Sequence, residues 1–264
     1  MKRHIWNKFV KTRERYREAV DEINRKLPDL KNILQKLVDN RQNSKAAAYS
    51  VETPVVYNSS LDDISINDEI RLILVADNPG RREQAAENRR YLIGPSGKIA
   101  EKFFRDNPEF DIDFRKNVII LNKTPIHTPR TIELRELCRM GNKTDALAIA
   151  EVLEESQRTM AELLLEFQLC FAAEANAETG ESIPVWITGY SEMKKNGIFH
   201  VYTETLKNLY KQAGEKMSSK LLLLRHFSMN QFTIDLKQQA RPDETAGETL
   251  YRIGSAYRQR ILGL

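Results

Sequence analysis

The sequence predicts an α/β fold: a central parallel sheet flanked by helices, with extra N-terminal and inserted helices. Two observations carry this reading. Four short apolar runs of strand length (72–75, 117–121, 183–189 and 221–224) are separated by longer segments with helical spacing, the pattern of a parallel sheet between helices. Three of the runs also end on polar side chains, namely Asp77 and Asn78, Asn122, and His226. Strand tips of this kind are where open α/β sheets bind ligands. With 264 residues, 41% of them hydrophobic and 30% charged, the chain can bury a full core.

Residues 3–43 read as helix, because Ile5, Trp6, Phe9, Val10, Ala19, Val20, Ile23 and Leu27 follow helical spacing. Pro28 breaks or kinks this helix, and Leu30, Ile33, Leu34, Leu37 and Val38 form a second stripe. Residues 1–43 are thus a helical N-terminal extension to an α/β domain at 44–264. The extension packs on the domain or serves as a partner- or DNA-touching arm. Residues 44–68 are mixed and polar, with a loop at Asn58-Ser59-Ser60, and lead to the first strand. That strand stops at the turn Asp77-Asn78-Pro79-Gly80. A charged loop, the turn Gly94-Pro95-Ser96-Gly97 and a helical pattern from Lys98 to Phe104 follow. Two Gly/Pro turns in one crossover can offer backbone N–H groups to an anion. After a turn at Asn107-Pro108, the second strand ends on Asn122-Lys123-Thr124-Pro125. A helical insertion covers 131–174, with Gly141-Asn142 between its helices. The small, polar stretch 175–182 is a loop. The third strand ends at Gly189 and the fourth at Arg225-His226-Phe227-Ser228. The tail, 244–264, is a helix with Leu250, Ile253, Tyr257 and Ile261 on one face.

No apolar run approaches the ~20 residues of a membrane span. The N-terminus is basic but lacks the continuous apolar stretch of a secretory signal. Cys138 and Cys170 are far apart and unaccompanied, which suits a reducing cytoplasm and gives no metal site. The formal net charge is only +4, but Arg81, Arg82, Arg89, Arg90 and Lys98 flank the first strand tip, where they either contact phosphates or form a solvated loop.

Singly, these features are ordinary turns, caps and core residues. In combination, Ala76-Asp77-Asn78-Pro79-Gly80, Glu83 and Leu92-Ile93-Gly94-Pro95-Ser96-Gly97-Lys98 resemble the uracil-DNA glycosylase superfamily. The stretch is a hybrid of the G-x-N-P-G motif of its mismatch-specific and single-strand-selective branches and the G-E-x-P-G-x-x-E motif of its iron–sulfur branch. Asn122-Lys123 with Pro125 resembles the next motif, and His226-Phe227-Ser228 stands where the superfamily has His-Pro-Ser. The likeness covers residues 70–125 and 183–232. It departs at Ala76, which replaces a Gly, at Phe227, which replaces a Pro, and at Leu92, which stands where the family has a stacking Phe. The iron–sulfur branch has a cysteine ligand soon after the motif Asn. None stands here, and a cluster needs about four thiolates where the chain has two cysteines, so no cofactor and no metal are expected.

The resemblance implies a DNA glycosylase that flips out uracil or a related deaminated base and hydrolyses its N-glycosidic bond. His226 would donate to the departing base, while Asn78 or Asp77 would position water or stabilise the sugar cation. Asn122 would read the base, with Tyr91 or Leu92 as its wall. The backbone of Gly94, Ser96 and Gly97, the Ser228 hydroxyl, Arg81, Arg82 and Lys98 would meet DNA phosphates. Two alternatives stand beside this: a nucleic-acid-binding module on the same fold with little or no turnover, and a nucleotide-processing α/β enzyme.

Overall fold

A computed structural model of the protein describes residues 1–40, 49–172 and 182–264. Alternation within each strand sets its layering, because successive side chains point to opposite faces. Four strands, β1 (Leu72–Ala76), β2 (Val118–Asn122), β3 (Val185–Thr188) and β4 (Leu221–Leu224), form one all-parallel sheet in the order β2-β1-β3-β4. All four are buried end to end, as expected for strands covered on both faces. Ile73, Val75, Ile119, Leu121, Val185, Ile187, Leu221 and Leu223 point into one core, and Leu72, Leu74, Val118, Ile120, Trp186, Leu222 and Leu224 into the other.

Nine helices surround the sheet among the described residues: α1 (Arg3–Lys26), α2 (Leu30–Asp39), α3 (Pro95–Asp106), α4 (Glu133–Leu137), α5 (Lys143–Ala172), α6 (His200–Ala213), α7 (Glu215–Ser218), α8 (Gln231–Gln239) and α9 (Ala246–Leu262). The helices α1, α2, α5 and α6 join the first core, and α3, α8 and α9 join the second. On α1 the buried residues Ile5, Phe9, Thr12, Tyr16, Val20 and Ile23 recur every three or four positions, so one stripe faces inward. This stripe belongs to the main core, and the N-terminal helices pack as part of the α/β body.

The break at Pro28, the helices of the 131–174 insertion and the C-terminal helix agree with the sequence reading. The stretch between the third and fourth strands, to which the sequence reading assigns no element, contains α6 and α7. The predicted loop at 175–182 lies outside the described residues except for Ser182, as does the end of the first helical stretch beyond residue 40. The chain leaves β1 for β2 on one side, then returns past β1 to β3 on the other. The crevice where this order reverses lies between the C-terminal ends of β1 and β3.

Candidate active site at the strand tips

Asp77 follows β1 directly and is 6% exposed. Lys123, the residue after β2, is fully buried, and its Nζ donates to Asp77 Oδ1 and to the Thr188 carbonyl, each at 2.5 Å. The ammonium also lies 4.9 Å from the centre of the Phe199 ring. Burial pulls the Lys123 pKa down, and the Asp77 carboxylate opposes that shift. The other carboxylate oxygen, Oδ2, accepts from the Thr131 hydroxyl at 3.3 Å and lies 4.0 Å from His226 Nε2. Gly189 closes the crevice from β3. A Cβ there would fall 2.4 Å from Asp77 Oδ1, and its φ of +77° is left-handed, so the carboxylate fits only against a glycine.

His226 sits past β4 with 26% of its side chain exposed. The Ser228 backbone N–H donates to Nδ1 at 2.8 Å, and the Ser228 hydroxyl lies 2.6 Å from the same nitrogen. A ring nitrogen that accepts carries no proton, so the imidazole proton resides on Nε2, the nitrogen facing Asp77. Burial lowers the His226 pKa, Asp77 opposes this and Lys123 reinforces it. The ring is therefore a neutral Nε2–H donor. Ser228, expected at a phosphate, is turned onto His226 and orients it. Phe227, in place of the family's proline, is buried against Phe232 with ring centres 4.5 Å apart and anchors this loop.

Asn122 is the register partner of Ala76 across the β1–β2 pair, and only 2% of it is exposed. Strand alternation turns it to the face opposite Lys123, towards the core that holds Tyr91 and Leu92. Among the described residues, neither its Oδ1 nor its Nδ2 makes a hydrogen bond. The Tyr91 hydroxyl feels the Asn122 amide but donates to the Val56 carbonyl at 2.5 Å and lies 3.0 Å from the Tyr16 hydroxyl of α1. Tyr91 is thus fixed from below by the N-terminal helix.

Asn78 turns away from Asp77, as adjacent residues on an extended chain do. Its Nδ2 donates to Thr128 Oγ1 at 2.9 Å and to the Ile126 carbonyl at 3.2 Å, which orients the amide and leaves Oδ1 without a partner among the described residues. Two buried residues that the sequence reading gave no role hold this turn. His127 Nδ1 donates to the Pro79 carbonyl at 2.8 Å, and its Nε2 lies 2.9 Å from the Tyr49 hydroxyl; burial lowers its pKa to about 4. Glu83 accepts from the N–H of Gly80 at 3.1 Å and from that of Leu92 at 3.0 Å, and burial raises its pKa to about 7.

Leu92 has a left-handed φ of 52°. Its carbonyl presses on Gly97, where a Cβ would lie 1.4 Å from the oxygen. The same carbonyl accepts from Arg115 at 2.9 Å. Gly94 caps α3 and Pro95 begins it, so the N–H groups of Ser96 and Gly97 start the helix without intrahelical acceptors. Lys98, Arg81 and Arg82 are exposed, with the Arg81 guanidinium 4.8 Å from the centre of the Tyr49 ring.

The structure thus joins Asp77, His226 and Lys123 directly, with Asn122 on the neighbouring tip and Asn78 on the adjoining turn. The sequence signals for the residues without an assigned role were indirect. Glu83 and Lys123 stood inside the motifs, and Gly189 ended a strand, whereas nothing local marked His127, Thr131 or Tyr16. Comparison of the chain with protein-family models and with curated proteins finds no match.

Proposed function

We propose that the protein is a DNA glycosylase that extrudes uracil or a related deaminated base and hydrolyses its N-glycosidic bond. The observation that carries this reading is the unpaired Asn122 amide. A buried polar group without a partner costs about 1–3 kcal/mol, and here a donor and an acceptor at a strand tip both lack partners among the described residues. Uracil supplies the complement: N3–H donates to Oδ1, and O4 accepts from Nδ2. Cytosine presents the reverse pair, so preference for uracil requires a fixed amide orientation, because an amide free to flip would accept both bases.

The remaining groups have consistent roles. As the bond to the sugar breaks, negative charge grows on the base, and the neutral Nε2–H of His226 stabilises it without itself ionising. Asn78 Oδ1, its amide anchored through Nδ2, orients the attacking water. Asp77, already paired with Lys123, supplies its remaining field to the sugar cation. The open start of α3 and the exposed Arg81, Arg82 and Lys98 meet phosphates. Met229, 84% exposed on a left-handed backbone just past His226, would fill the gap left by an extruded base in this reading. DNA in a reducing cytoplasm is the proposed setting, and the two free cysteines suit it.

The experiment is incubation with oligonucleotides carrying uracil, hypoxanthine or xanthine, followed by quantification of the free base. Release of uracil by the wild type and its loss in His226→Ala is the expected result. Binding without release of any base would assign the site to recognition alone.

A further inference from the structure

Beside the strand-tip site runs a groove to which no role has yet been given. One cavity of about 710 Å³ is lined by Lys194, Lys195, His200 and Arg260, with Met193 and Thr203 at its base. A second, of about 420 Å³, is lined by Arg135, Arg139, Lys195 and His200. Lys195 and His200 line both, so the two cavities form one elongated groove. Its acidic lining residues are Glu204 in the first cavity and Glu154 in the second. Arg135 is partly neutralised by Glu192 at 3.5 Å, and the Arg260 guanidinium lies 4.9 Å from the Tyr257 ring centre. Lys194, Lys195 and Arg139 have no ion pair among the described residues. The groove also receives the start of α6, whose helix dipole adds positive potential.

We propose that this groove binds the sugar–phosphate backbone of a single nucleic-acid strand that continues away from the strand-tip site. Its length and spaced cations fit an extended polyanion better than one isolated phosphate. The turn Tyr190–Met193 joins Gly189, the residue that abuts Asp77, to Lys194 and Lys195, so the groove's lysines follow the strand-tip site directly along the chain. The choice of nucleic acid over another polyanion rests on the base-excising reading of that site.

The test is fluorescence anisotropy with a labelled single-stranded oligothymidylate, which contains no uracil and so reports on backbone binding alone. The protein is compared with its Lys194→Glu/Lys195→Glu variant over a range of salt. Affinity at low salt should fall about tenfold or more, and the log–log salt slope should shrink by about 1.4, since each of the two lost phosphate contacts to a single strand contributes about 0.7. Both lysines are exposed. Should the charge-reversed protein misfold, Lys194→Gln/Lys195→Gln should show the same loss of slope. An unchanged slope and affinity in a folded variant would overturn the proposal. Polyglutamate competing as well as oligothymidylate would overturn the nucleic-acid assignment. Because the probe carries no target base, a wild type that releases no uracil but shows this lysine-dependent binding sinks the glycosylase reading and leaves the groove standing. The opposite pair of results sinks the groove alone.

Discussion

One backbone N–H decides what His226 can do. By occupying Nδ1, Ser228 keeps the proton on Nε2, and the ring meets the site as a neutral donor. Replacing His226 with Ala should therefore lower turnover by about 10²–10³-fold while leaving DNA affinity nearly unchanged, because the bond strengthens only as charge develops. Single-turnover kinetics beside equilibrium binding would separate the two quantities, and equal losses in both would make His226 a binding residue. The adjacent pair Asp77 and Asn78 should divide differently. Asp77→Ala leaves the Lys123 ammonium buried without its partner, at a cost of about 3–5 kcal/mol in stability measured by urea unfolding. Asn78→Ala disturbs no buried charge, so it should spare the unfolding midpoint and reduce turnover. A reversed pattern would hand the water to Asp77. Asp77, Asn78, Asn122 and His226 were legible in the sequence because each ends an apolar run. Lys123 was not legible as a partner of Asp77, since the two lie 46 positions apart and only the register of β1 on β2 brings them together.

The turn after β1 is held by two buried groups whose proton affinities are displaced in opposite directions. Burial raises the Glu83 pKa from 4.5 to about 7, so the folded state holds a proton that the unfolded chain has released. Its contribution is present below pH 4.5 and lost as pH rises through 7. Burial lowers the His127 pKa from 6.5 to about 4, so the folded state refuses a proton that the unfolded chain accepts. That contribution is present above pH 6.5 and lost as pH falls towards 4. Each is on the order of 3 kcal/mol, and from about pH 4.5 to 6.5 the two slopes cancel. Unfolding free energies of Glu83→Gln should rise with pH across this window, and those of His127→Gln should fall. Parallel slopes in the two variants would show that these groups do not govern the turn. The motif spacing placed Glu83 near the turn, but its bonds to Gly80 and Leu92 depend on a folded loop that no local pattern encodes. The third strand's end at Gly189 was visible, whereas its contact with Asp77 arises only from the neighbouring positions of β1 and β3 in the sheet.

Across the whole molecule, the N-terminal helices are part of the fold, since Ile5, Phe9, Tyr16 and Leu34 are wholly buried in the main core. A chain without residues 1–40 should lose cooperative unfolding by circular dichroism; a stable truncated protein would return these helices to the status of an arm. Helical spacing revealed their apolar stripe, but such a stripe does not say what it packs against, and Tyr16 reaches Tyr91 only in the assembled fold. On the outer surface, charge reversal at Arg81 and Arg82 should weaken binding to DNA of every sequence alike and lower the salt slope by about one unit per lost contact. Unchanged affinity would leave both arginines as solvated side chains. The buried Asp77–Lys123 pair also constrains how this chain can change over generations. Loss of either partner alone passes through a stranded buried charge, so single steps out of the arrangement are selected against even where a two-step exchange to apolar residues would be harmless. Lineages derived from this chain should therefore keep both charges or lose both, and a lone survivor should stand beside a compensating change in the same crevice.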